Sequence, residues 1–186
     1  MALFYLIRHG EPDYSEVEKN GFWGFGRDFA PLSEKGIQQA VHAAKDPRLK
    51  NARLIVSSPY TRALQTAQII SSVTGLIVRV ETAMHEWIPD LTNQLSDAGD
   101  AVRSAQEFTA YQGVYPIGKT KPWETLEHMR RRMRSVADKY ADLDTVILVG
   151  HGMAFRTLDY IEEMHPGQII ECYYHKNQSD CKYSFR

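Results

Sequence analysis

Short runs of apolar residues recur along the chain and predict buried strands. They occupy residues 3–7, 54–56 and 146–149. Continuous runs of this length are typical of strands that are covered on both faces of a sheet, as in parallel α/β proteins. The tail carries two further candidate strands, 168–174 and 181–186, with a turn between them.

Segments with helical spacing of apolar residues lie between these runs. Ser33 is placed to cap a helix that ends near Pro47. Further helices are predicted over 59–73, over 123–140, which has the clearest amphipathic stripe, and over 153–160. Strands that alternate with helices predict an α/β fold, a three-layer α/β/α sandwich with a mostly parallel central sheet.

The length of 186 residues fits a single domain covering 1–186. Residues 88–122 are the least regular stretch, and we interpret them as an insertion or lid. Within that stretch, Gly113–Thr120 matches the letters of a phosphate-binding P-loop. Polar residues precede it and Pro116 removes an N–H from its loop, so an exposed loop is the better interpretation.

The composition of the chain argues against several classes of partner and location. Lys and Arg total 22 and Asp and Glu total 23, and this balance argues against a nucleic-acid or anionic-membrane partner. No apolar run approaches the roughly 20 residues of a membrane helix. The N-terminus lacks a signal-peptide pattern, so we expect a cytoplasmic protein with free thiols at Cys172 and Cys181. A basic run at 130–134 is interpreted as a solvated helix face.

Polar signatures follow three of the predicted strands: Arg8-His9-Gly10-Glu11, then Ser57-Ser58-Pro59 with Arg62, and then Gly150-His151-Gly152. The carboxyl ends of parallel strands meet at one sheet edge, where ligands bind in open α/β folds. Two guanidiniums and a histidine would give this edge a charge of about +2 to +3, which suits a phosphate dianion. A second histidine there could attack phosphorus and form a covalent intermediate.

These motifs resemble the histidine phosphatase superfamily, in its phosphoglycerate-mutase-like branch. The resemblance runs from residue 3 to about residue 160. Besides the opening Arg8-His9-Gly10-Glu11, it rests on three further pieces: Leu32-Ser33-x-x-Gly36-x-x-Gln39-Ala40, Ser57-Ser58-Pro59-x-x-Arg62-Ala63-x-Gln65-Thr66-Ala67, and Gly150-His151-Gly152 followed by Arg156.

The resemblance implies a role for each matching residue. It implies His9 as the nucleophile that becomes phosphohistidine, with Arg8, Arg62 and His151 binding the phosphate and Gly152 beside them. Family members carry a proton donor after the third strand. Glu86, after the apolar stretch 76–80, is the candidate here, ahead of its neighbour His85. A bell-shaped dependence of kcat/KM on pH would follow.

The expected activity is hydrolysis of a small phosphorylated substrate, without metal or cofactor. A phosphoglycerate-type phosphomutase and a non-catalytic phosphate-binding module are the alternatives, and a homodimer is left open. The chain is short for a mutase, and 88–122 contains few cations. Trp23 either lines the substrate pocket or packs its loop onto the core. Pro12-Asp13 departs from the family pattern, and Asp13 should point away from phosphate or meet a cationic part of the substrate.

Overall fold

The computed structural model describes residues 1–185 and contains one five-stranded sheet. The strands are β1 (Ala2–Arg8), β2 (Ile55–Ser57), β3 (Val78–Val80), β4 (Thr145–Gly150) and β5 (Ile169–Tyr174). Their order across the sheet is β3-β2-β4-β1-β5. β5 runs antiparallel to β1, while the other neighbouring pairs are parallel. The mostly parallel sheet predicted from the sequence is therefore confirmed.

Helices cover both faces of the sheet. They are α1 (Ser15–Lys19), α2 (Glu34–Ala44), α3 (Thr61–Thr74), α4 (Ala98–Ala110), α5 (Leu126–Tyr140) and α6 (Gly152–Phe155). Alternate residues of β1 point to opposite faces, as the strand period requires. Tyr5 and Ile7 pack in an apolar cluster with α2 and α3. Phe4 and Leu6 pack in a second cluster with α5 and α6. The layers form the expected three-layer sandwich.

Two elements near the C-terminus differ from the prediction. The helix expected over 153–160 ends at Phe155. The chain then tightens into a turn in which Thr157 N–H and Thr157 Oγ1 both donate to the carbonyl of Ala154. Residues 181–185 form no strand. Arginine side chains bind two carbonyls of this segment, those of Cys181 and Ser184, so no strand partner satisfies them. Arg186 of the predicted strand lies outside the described residues.

The segment 88–122 contains α4, which the sequence analysis did not predict. Its buried positions are Ser104 and Phe108, too few to give a helical stripe that can be recognised in the sequence. Phe108 packs into a third apolar cluster with Trp87, Trp123, Leu126, Met129 and Tyr183. This cluster holds the segment against the start of α5. The sequence 113–120 is a loop that follows α4 rather than a strand, which agrees with the rejection of a P-loop.

The thiols and the helix lengths bear on two further expectations. Cys172 is buried, Cys181 is half-buried, and both are free thiols, as expected. No helix within residues 1–185 has the length and apolar character needed to cross a membrane.

Candidate active site

The three polar signatures meet at the carboxyl edge of the sheet because their strands are adjacent and parallel. Arg8 at the end of β1 is in register with Gly150 at the end of β4. The His9 N–H donates to the Gly150 carbonyl at 3.0 Å, and the Ser58 N–H donates to the Val149 carbonyl at 2.9 Å. The sheet thus brings together the residues that the sequence placed after separate strands.

The loop that carries His9 is held by residues of the other family motifs. Gly10 and Gly36 cross so closely that a Cβ on Gly10 would lie 2.2 Å from the Gly36 carbonyl oxygen. The Gly10 N–H donates to Thr66 Oγ1 at 3.1 Å, and the Glu11 N–H donates to Gln39 Oε1 at 2.8 Å. The motif residues on α2 and α3 therefore fix the backbone on which His9 stands.

The His9 ring has one protonated nitrogen and one nitrogen with a lone pair. Its Nδ1 lies 2.7 Å from the Gly10 carbonyl, which can only accept, so Nδ1 carries the proton. Arg62 Nε then donates to His9 Nε2 at 3.3 Å. Burial and the positive charge of Arg62 lower the pKa of His9 to about 3. His9 is therefore unprotonated at neutral pH, and we expect the acidic limb of the kcat/KM profile that comes from its protonation to lie well below neutral pH.

His151 is fully buried beside His9. Its Nε2 lies 2.7 Å from Ser58 Oγ, and its ring centre lies 5.0 Å from the His9 ring centre. Burial, and then the neighbouring His9, lower the pKa of His151 well below its ordinary value. The His151 ring is therefore neutral in this state, which puts the site at the lower end of the expected charge of about +2 to +3. The fixed positive charge comes from Arg8 and Arg62.

Arg8 lies beside Gly152 at the start of α6. A Cβ built on Gly152 would stand 3.9 Å from Arg8 guanidinium atoms, so glycine leaves this side of Arg8 open. Arg8 donates to the Met164 carbonyl, and burial lowers the pKa of its guanidinium. Within residues 1–185, Arg8 Nε and His151 Nδ1 are buried and have no hydrogen-bond partner. Both nitrogens can serve an oxygen-rich ligand such as phosphate.

The side chain of Glu86, the predicted proton donor, is held by backbone N–H groups at the start of α6. Its carboxylate accepts hydrogen bonds from the N–H groups of Trp87 at 2.8 Å, Ala154 at 3.0 Å and Met153 at 3.2 Å. Glu86 lines the cavity beside Arg62, whereas His85 does not. The His85 ring bonds instead to the Glu86 carbonyl. The structure thus favours Glu86 over its competitor.

Arg132 was assigned to a solvated helix face, and this assignment is wrong because its side chain is only 8% exposed. It forms a two-pronged ion pair with the fully buried Glu124, at 2.7 and 2.9 Å. The same guanidinium donates to the carbonyls of Ala83, His85 and Glu86. Arg132 therefore holds the segment that carries Glu86. In the sequence, Arg132 looks like its neighbours in the basic run at 130–134.

We expect Arg132→Met to destabilise the protein by about 3 kcal/mol or more, because it leaves the Glu124 carboxylate buried without its partner. The measurement is the free energy of unfolding in urea. Arg131→Met is the matched control, since Arg131 is the exposed neighbour on α5. Its free energy of unfolding should change by less than about 0.5 kcal/mol. Equal effects of the two substitutions would contradict the role given to Arg132.

A cavity of about 210 Å³ is lined by Arg62 and Glu86, and Arg62 connects it to His9. Its aromatic walls come from Trp23, Phe25, Tyr60 and Trp87. Of the two interpretations of Trp23, lining a pocket or packing its loop onto the core, this position agrees with the first. The cavity wall also includes Asp28, a residue that the sequence analysis did not identify. Asp28 lies three residues after Phe25 in a 3₁₀ turn, and no spacing rule would have selected it.

Asp13 points away from this site. It is exposed, and its carboxylate accepts a hydrogen bond from the Ser15 N–H at 2.9 Å at the start of α1. The departure from the family pattern at Pro12-Asp13 therefore adds no negative charge to the phosphate site. Among residues 1–185 there is no group of three or more His, Cys, Asp or Glu side chains arranged to hold a metal ion.

Comparison with known proteins shows the family of the chain. Residues 4–185 match the model of the histidine phosphatase superfamily, branch 1. The chain therefore belongs to that superfamily, and its members identify it as an enzyme of the mutase and phosphatase type.

Individual relatives are distant but cover most of the chain. A probable phosphoglycerate mutase GpmB of Cronobacter sakazakii is 27% identical over 163 residues, which are 85% of this chain and 73% of the relative. Its counterpart in Erwinia tasmaniensis is 28% identical over 166 residues, with the same coverage. The solved structure of a mycobacterial glucosyl-3-phosphoglycerate phosphatase has a TM-score of 0.63 at 27% identity, covering 84% of this chain and 76% of that one.

Proposed function

We propose that the protein hydrolyses a phosphate monoester through a phosphohistidine on His9. The observation that carries this proposal is the state of His9. Its Nδ1 is tied to a carbonyl, its Nε2 is unprotonated, and Arg62 Nε stands 3.3 Å from that same nitrogen. When phosphate binds, the Arg62 guanidinium can donate to a phosphate oxygen instead of to Nε2, which frees the lone pair to attack phosphorus and stabilises the charge on the transferring group.

The proposed reaction has two steps. In the first, His9 Nε2 forms a bond to phosphorus, the bond from phosphorus to the ester oxygen breaks, and Glu86 donates a proton to the leaving oxygen. In the second, Glu86 takes a proton from water, the water oxygen attacks phosphorus, and the bond to His9 breaks to release inorganic phosphate. Arg8, Arg62 and His151 hold the phosphate oxygens in both steps.

A phosphomutase is the second candidate, because the curated relatives are named probable phosphoglycerate mutases. A phosphoglycerate carries a carboxylate, which needs a cation beyond the phosphate-binding residues. Beyond Arg62, the cation in the cavity wall is Arg27, and its charge is already balanced by Glu18, which lies 2.7 Å from Nη2. Asp28 adds negative charge to the same wall. These charges favour hydrolysis of another phosphate ester.

Phosphate release and phosphoryl transfer can be separated by one assay. We expect steady release of inorganic phosphate from p-nitrophenyl phosphate, and no conversion of 3-phosphoglycerate to 2-phosphoglycerate, with or without a bisphosphoglycerate primer. Isomer conversion that outpaces phosphate release would establish the mutase instead. Binding of inorganic phosphate without turnover of any ester would indicate a binding module.

A further inference from the structure

Asp28 stands on the opposite side of Arg62 from the nucleophile. Arg62 Nη1 lies 3.1 Å from Asp28 Oδ1, while Nε of the same guanidinium lies 3.3 Å from His9 Nε2. The Asp28 carboxylate is therefore separated from the reacting nitrogen by the width of one guanidinium. Its side chain is 22% exposed and lines the cavity, so a bound ester would extend past it.

Once phosphate is bound, Asp28 must share its one cationic partner, because it is paired with Arg62 and its other hydrogen-bond partner, Tyr60, is uncharged. A phosphate dianion balances the two positive charges of Arg8 and Arg62, and both histidines are neutral. Asp28 then adds a negative charge next to the dianion, and the two must share Arg62. Like charges at this distance repel in a partly buried site. A substrate that carries a positive charge close to its phosphate removes this repulsion.

The other acidic groups of the cavity wall accept hydrogen bonds from their own partners, and Glu86 accepts from the N–H groups of Trp87, Met153 and Ala154. The Asp90 carboxylate accepts hydrogen bonds from Thr92 N–H and Thr92 Oγ1. Asp97 caps α4 by accepting from the Asp100 N–H at 2.9 Å. Arg27 pairs with Glu18 through Nη2 at 2.7 Å. Asp28 is thus the acidic group of this wall that is paired with a phosphate-binding residue, Arg62, and it faces the space where the ester group would lie.

Aromatic rings form the rest of this space. Trp23, Phe25 and Tyr60 line it together with Asp28. Ring faces attract cations, and this wall already holds such a contact, since Arg62 Cζ lies 4.9 Å from the centre of the Tyr60 ring. A carboxylate beside aromatic rings is the combination that binds an organic ammonium group.

We propose that the cavity selects phosphate monoesters of short amino alcohols, with the ammonium group held by Asp28 against the aromatic wall. This inference rests on the proposed phosphatase function and gives it a substrate class. Because one guanidinium separates Asp28 from His9 Nε2, the ammonium must follow the phosphate within a few bonds.

The test compares O-phosphoethanolamine with ethyl phosphate, its neutral counterpart. We expect the wild type to prefer the ammonium ester by about tenfold or more in kcat/KM, and D28N to lose most of that preference. D28N should also hydrolyse ethyl phosphate faster than the wild type, because the repulsion is gone. The preference is the ratio of kcat/KM for O-phosphoethanolamine to kcat/KM for ethyl phosphate. Dividing this ratio for the wild type by the same ratio for D28N cancels the intrinsic difference in reactivity between the two esters.

D144N removes a surface carboxylate that is 86% exposed, and it should keep the wild-type preference. A second measurement needs no variant: O-phosphoethanolamine should inhibit wild-type hydrolysis of p-nitrophenyl phosphate more strongly than ethyl phosphate does. Equal preference in the wild type and D28N, or equal inhibition by the two esters, would overturn the substrate class while leaving the phosphatase intact. Absence of turnover with every ester would overturn the phosphatase itself.

Discussion

Replacing His9 by alanine is expected to lower kcat for p-nitrophenyl phosphate by at least about 10³-fold, since the covalent route disappears and water must attack the ester directly. The guanidiniums of Arg8 and Arg62 remain, so binding of inorganic phosphate should persist. The measurement combines steady-state kinetics with quenching of the reaction on a ³²P-labelled ester. The wild type should retain a label that is stable in base and lost in acid, as phosphohistidine is.

His175→Ala is the matched control, because His175 is exposed and lies far along the chain, at the end of β5. This variant should keep both its rate and its label. If His9→Ala hydrolyses the ester within tenfold of the wild-type rate, or keeps the acid-labile label, His9 is not the nucleophile.

Replacing Glu86 by glutamine is expected to have an effect that depends on the leaving group. An alkoxide is a poor leaving group, so loss of the proton donor should lower kcat/KM for ethyl phosphate by about 10²- to 10³-fold. A 2,4-dinitrophenolate departs without a proton, so kcat/KM for its phosphate ester should fall by less than about tenfold. The ratio kcat/KM reports the step up to phosphorylation of His9, which separates this role from any role of Glu86 in activating water.

Glutamine keeps one oxygen, which can accept from the N–H groups of Trp87 and Ala154 as Oε1 of Glu86 does, so the start of α6 should keep these hydrogen bonds and lose the one from Met153 N–H to Oε2. Glu163→Gln is the control, since Glu163 is 72% exposed, and its rates should match the wild type with both esters. An equal loss with the ethyl and the dinitrophenyl ester would argue against Glu86 as proton donor. It would assign Glu86 instead to holding the start of α6.

Much of the architecture could be read from the apolar pattern. The strand runs at 3–7, 54–56 and 146–149 match β1, β2 and β4 closely, because buried parallel strands have few polar positions. Helix α4 was missed because the segment 88–122 packs through scattered aromatic residues rather than along a stripe. Arg132 was misassigned because a buried ion pair looks in sequence like any other charge on a helix.

The sequence by itself determined the family, the layered fold and the residues after each strand, since local spacing encodes strands, helix starts and the motifs that follow them. It also named Arg8, His9, Arg62, Glu86 and His151. Only the tertiary structure decided their states. Burial beside Arg62 leaves His9 unprotonated, burial leaves His151 neutral, and Asp28 is paired with Arg62 at the edge of the cavity. These outcomes depend on distances across the fold and on access to water, which no spacing along the chain records.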